Sequence, residues 1–110
     1  MIHESNARSN HKSGNNCAQS VAIAFADELG LSPAQAAQAA PRPRSEGGMC
    51  GAFLAGKAAL ARLRPEAAEE FERRFLEENG ALACGKLRKS GTPCNDLVGC
   101  AARLVEELSK

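Results

Sequence analysis

Five cysteines, Cys17, Cys50, Cys84, Cys94 and Cys100, are the residues of this 110-residue chain best equipped for chemistry. A thiolate is both a nucleophile toward disulfides and a soft metal ligand, so gathered cysteines point to redox or metal chemistry. Five is an odd number, so full pairing within one chain is impossible. No two are spaced Cys-x-x-Cys, which removes the local signature of a thioredoxin-like dithiol and of a zinc knuckle. Cys-x-x-Cys-His is also absent, so covalent haem is not expected. Any shared site must therefore be assembled by the fold from separate elements.

The elements that would do this read as helices. Ser13-Gly14-Asn15-Asn16 is a helix-start signal, and Val21, Phe25 and Leu29 repeat every fourth residue after it, up to Gly30. Ser32-Pro33 restarts a short Ala/Gln helix that Pro41-Arg42-Pro43-Arg44 ends. The stretch from Gly47 to Leu63 holds the densest Gly/Ala/Cys composition, and its Ala52, Gly56 and Ala59 form a row that another backbone can approach closely. Pro65 opens a fourth helix with Phe71 and Phe75 facing inward and Glu/Arg pairs outward, closed by Asn79-Gly80. Ala81 to Lys89 spans one or two helical turns around Cys84. Thr92-Pro93-Cys94 starts the last helix, with Leu97, Ala101, Leu104, Val105 and Leu108 on one face. No strand alternation or internal repeat is present, so the fold class is all-α, a compact bundle of about five short helices. Residues 1–13 read as a loose polar arm containing His3 and His11, and residues 14–110 as a single cysteine-containing helical domain.

On these elements Cys17, Cys50 and Cys94 fall in first turns, Cys84 falls near the start of a shorter helix, and only Cys100 lies mid-helix. A helix start offers free amides and the positive end of the dipole, both of which favour thiolate over thiol. An anionic iron–sulfur centre would gain from the same amides. Cys100 reads as core filler, and His11 as solvated rather than a ligand. Asp27, Glu28 and Asp96 form no acid–base pair, so nothing points to a hydrolase. The formal charge of +1 predicts neither nucleic-acid nor membrane binding, and no apolar run spans a bilayer. The polar start lacks an apolar signal segment, so a cytoplasmic, reducing location is expected.

Asn16-Cys17-Ala18-Gln19-Ser20-Val21, Cys50-Gly51-Ala52-Phe53-Leu54-Ala55-Gly56, Cys84-Gly85-Lys86-Leu87 and Cys94-Asn95-Asp96-Leu97-Val98 together resemble the family named for its C…GCAxxG…C…C pattern. That family is described as redox-active on the strength of its cysteines. A similar cysteine-rich domain accompanies haem in some multihaem cytochromes, where an iron–sulfur centre is suspected. The chain departs from the pattern in its short Gly47-Gly48 run and in the extra Cys100.

Two classes of function follow. In the first, the protein is a small redox carrier whose Cys17, Cys50, Cys84 and Cys94 converge and exchange electrons with a redox partner protein. They would either ligate an iron–sulfur cluster, or, with no cofactor, act as a thiol–disulfide centre with Cys50 and Cys17 as the reacting cysteines and Cys50 leading. Gly48 and Gly51 would admit a ligand beside the backbone of Cys50. In the second, the same cysteines hold a structural zinc ion or merely pack, in a helical module that binds a partner.

Overall fold

A computed structural model describes residues 2–110. Among them the chain forms eight α-helices and one 3-10 turn, Pro65–Ala67, and no strand. The helices are α1 (Ile2–Lys12), α2 (Cys17–Ala24), α3 (Ala26–Leu29), α4 (Pro33–Ala39), α5 (Gly51–Leu63), α6 (Ala68–Asn79), α7 (Cys84–Lys89) and α8 (Cys94–Leu108). The all-α expectation holds; the helix count rises at three places, one of them the stretch around Cys84, which forms α7. The continuous helix expected through Leu29 breaks at Phe25, whose backbone leaves helical geometry (φ −109°, ψ 14°) and divides α2 from α3. The expected loose arm is instead a helix, α1, packed on α2 and α8.

Helix α1 carries almost no apolar signal, since Ala7 is its one buried side chain and Ile2 is largely exposed. Polar contacts hold it instead. His3 lies between Glu106 of α8 and Glu28 of α3, and its ring stacks on Phe25 with centroids 4.4 Å apart. Arg8 bonds Asp96 at 2.9 Å and Asn95 at 3.1 Å. A Cβ on Gly99 would collide with the Arg8 guanidinium, so the bare glycine is what lets Arg8 lie across α8.

Local signals explain the other starts. Asn16 caps α2 in a reciprocal pair, accepting from the Gln19 amide at 2.8 Å while the Asn16 amide donates to the Gln19 side chain at 3.1 Å. Ser32 and Gln35 repeat the device at α4. Helix α5 is the central element, packing on α2, α6 and α8. Within the row of Ala52, Gly56 and Ala59, Gly56 receives an aromatic ring. A Cβ at Gly56 would overlap the Phe71 ring, which stacks on Phe53 at 5.5 Å between centroids, with Phe75 tilted against both. All three rings are fully buried.

Candidate redox site

Four of the five cysteines stand at helix starts. Cys17 opens α2, Cys84 opens α7, Cys94 opens α8, and Cys50 is the residue that caps α5. Three local devices bring these starts together. The bare face of Gly51 lies against Cys17, where a Cβ would come within 2.5 Å of the sulfur. Segments 48–50 and 82–84 pair in antiparallel fashion, the Cys50 amide donating to Leu82 O at 2.7 Å and the Cys84 amide to Gly48 O at 2.9 Å. Pro93 precedes Cys94 in extended conformation and ends the loop from α7, aided by the Thr92 amide donating to Leu87 O at 3.2 Å.

The result is one cavity of about 20 Å³ walled by Cys17, Cys50, Cys84 and Cys94, with Gly51, Leu87 and Leu97 closing its sides and Arg88 and Thr92 at its edge. No carboxylate or imidazole is among these walls. Cys50 is buried, at 4% exposure, and Cys17, Cys84 and Cys94 are each half-buried. All five cysteines are free thiols. The volume is about that of one water-sized sphere. In this all-thiol state no three His, Cys, Asp or Glu side chains among the described residues are arranged to hold a metal ion.

Electrostatics here runs against the simplest expectation for helix starts. Burial pushes the Cys50 thiol up to about 11, opposed by the Phe53 and Ala52 amides and reinforced by the Cys17 and Cys84 thiols. Burial also raises Cys17, against the Ala18 and Ala52 amides and with the Cys94 thiol adding to the rise. The amides do act as a helix start should, but desolvation of a thiolate outweighs them. Those same couplings connect the four sulfurs, Cys94 to Cys17, Cys17 to Cys50, and Cys50 to Cys84.

Other candidate residues fall elsewhere. Gly48 does not wall the cavity; it adopts the left-handed backbone (φ 76°) that presents its carbonyl to Cys84. Cys100 is buried on α8 against Asn79, Glu78 and Arg103, outside the four-thiol cavity. His11 lies on the outer approach to the cysteines, its ring 3.3 Å from the Asn95 side chain. Arg44 and Arg88 also line that approach, although Arg44 reads from the sequence as part of a solvated connector. One signal could have marked them: the cations Lys86, Arg88 and Lys89 sit in a stretch, 80–95, with no acidic residue.

Such an arrangement defines a small helical domain organised around four cysteines drawn from distant parts of the chain. A family model matches residues 15–108, and the chain belongs to that family, described as "Putative redox-active protein (C_GCAxxG_C_C)". A redox role, in general terms, comes with that membership. No curated protein and no solved structure gives a significant match. No helix among the described residues is long and apolar enough to cross a membrane.

Proposed function

We propose that Cys17, Cys50, Cys84 and Cys94 form one redox centre, and that in its working form their thiolates ligate an iron–sulfur cluster serving a redox partner protein in the cytoplasm. The observation that carries this reading is the convergence of four thiols, from four helix starts, on a single cavity with no carboxylate or imidazole in its walls. The donor set fits such a group chemically, and when bound it supplies one-electron transfer. The 20 Å³ gap suits the all-thiol state, so the side chains must part to seat anything larger than one atom.

The chain's own contribution can be stated residue by residue. The four cysteines must each lose a proton to become ligands. The Ala18, Ala52 and Phe53 amides aim at the Cys17 and Cys50 sulfurs and stabilise the negative charge that results. Leu87 and Leu97 keep water from one side. Gly51 leaves Cys17 room that any side chain would take.

The cofactor-free alternative, with Cys50 as leading nucleophile, fits less well. A thiol buried and raised to about 11 is protonated at neutral pH and attacks disulfides slowly. A structural zinc site uses the same four donors but is redox-inert. Anaerobic purification with iron, sulfide and zinc analysis and visible absorption separates the three. The cluster reading expects iron and sulfide in matched amounts, both lowered in Cys50→Ser. Zinc in their place supports the structural site. A colourless, metal-free protein after reconstitution leaves only the thiol chemistry.

A further inference from the structure

Beside the four-thiol gap, and sharing Cys17, Cys84, Cys94 and Arg88 with it, lies a wider cavity of about 250 Å³. Cys50 does not reach it; Arg44 from the 41–49 loop and His11 from α1 do. Arg44 and Arg88 therefore face one space next to three half-buried sulfurs.

Neither guanidinium has a carboxylate within ion-pair distance among the described residues, whereas Arg8, Arg64, Arg73, Arg74 and Arg103 each have one or more. Two like charges in one cavity repel unless solvent or an anion lies between them. The planar guanidinium is also the side chain best shaped to grip a carboxylate or phosphate through paired hydrogen bonds.

A second, independent observation concerns the backbone. Arg44 is the one residue other than glycine, among those described, with a left-handed backbone (φ 66°), held by its amide donating to Met49 O at 3.0 Å. Glycine takes that conformation freely, as Gly47 and Gly48 do in the same loop. An arginine there is strained, and the turn itself has no use for its side chain. Arg44, like Arg88 an exposed residue, instead lines the cavity.

We propose that this cavity binds a small molecule bearing a carboxylate or phosphate group, gripped by Arg44 and Arg88, with the remainder of the molecule against Cys17, Cys84 and Cys94. The volume suits a ligand of few heavy atoms. The assignment goes beyond the redox centre and stands whether the thiols hold a cluster or act themselves. Its test uses the anaerobically purified full chain, titrated calorimetrically with succinate and, separately, with inorganic phosphate. Saturable binding of at least one, weakened about tenfold or more in Arg44→Gln/Arg88→Gln, supports the site, and whichever anion binds identifies the class. Arg62→Gln is the control, because that guanidinium is also unpaired but lines a different, apolar cavity. Arg44→Gly guards against misfolding, since it relieves the backbone and so should fold at least as stably while binding the anion more weakly. Binding of neither anion, or equal binding by wild type and the double variant, overturns the assignment. Metal content and the visible spectrum are read on the same samples, so failure of the anion site is distinguishable from failure of the redox centre.

Discussion

Two regions of α5, the thiol end at its start and the packing end around Gly56 in mid-helix, make opposite use of the same small-residue helix. At its start Gly51 leaves space for a sulfur, the neighbouring groups are thiols, and the nearby cations Arg44 and Arg88 are unpaired. One and a half turns on, Gly56 leaves space for the Phe71 ring in a stack of three phenylalanines. Around that end the charges close on one another: Arg74 with Glu70 and Glu107, Arg103 with Glu78 and Glu107. Pairing alone does not separate the two regions, since Arg62 in the last turn of α5 also has no carboxylate partner among the described residues; what is particular to the start is that its unpaired cations Arg44 and Arg88 stand beside three cysteines.

The largest expected effect breaks the packing end alone. Phe71→Ala removes a fully buried ring and should cost about 3–5 kcal/mol of stability by denaturant unfolding. Metal content per folded molecule should be unchanged, and its loss in the folded fraction would show that the two ends are not separable.

Next, in the metal-free protein, Cys50 should react with iodoacetamide at neutral pH about two orders of magnitude more slowly than an unperturbed cysteine, because burial holds its thiol near 11. The rate should rise with pH up to that value; mass-resolved labelling of each cysteine reads it. Labelling of Cys50 at the rate of a free thiol would mean that the helix-start amides win after all.

The two glycines give the sharpest internal comparison. Gly56→Ala drives a methyl into the Phe71 ring and should cost about 1–3 kcal/mol with little effect on the centre. Gly51→Ala drives one into the Cys17 sulfur, so the change should show first in metal content or in Cys17 reactivity. Identical phenotypes for the two variants would erase the distinction drawn between the ends.

The smallest effect concerns α1, the helix packed on α2 and α8. Burial works to lower the His3 pKa, but hydrogen bonds with Glu106 and Glu28 outweigh it, and the net shift is upward. A raised folded pKa means that the stabilisation is complete below about pH 6.5, the unfolded value, and is lost as pH rises through the folded value. Wild type should exceed His3→Gln in thermal stability in mild acid by under about 1 kcal/mol, and the gap should narrow in mild alkali. A gap independent of pH would assign the effect to the His3–Phe25 stack instead.

Legibility in the sequence followed the range of the forces involved. Helix starts at Cys17, Cys50 and Cys94 could be read because Asn16, Gly47-Gly48 and Pro93 act within a few residues. The Phe71 and Phe75 core could be read because periodicity is local as well. Helix α1 could not, because its anchors are polar groups meeting partners from the other end of the chain, as Arg8 meets Asp96. Nor could the break at Phe25, whose apolar repeat runs unbroken through a kinked backbone. The cation-lined cavity was hidden because Arg44 and Arg88 belong to segments that only the 48–50 and 82–84 pairing brings together. Helix-start electrostatics misled about the thiols because depth of burial is a property of the whole fold.

That short pairing has a kinetic meaning as well. Helix α7 has six residues and buries only Leu87, and the link at Met49 and Ala83 ties its first residue to the body of the bundle. An element anchored by so little can part from the bundle at less cost than the long helices α5 and α8, and Cys84 would move with it. Such a movement would widen the gap between the cysteines while Cys17, Cys50 and Cys94 kept their places on α2, α5 and α8.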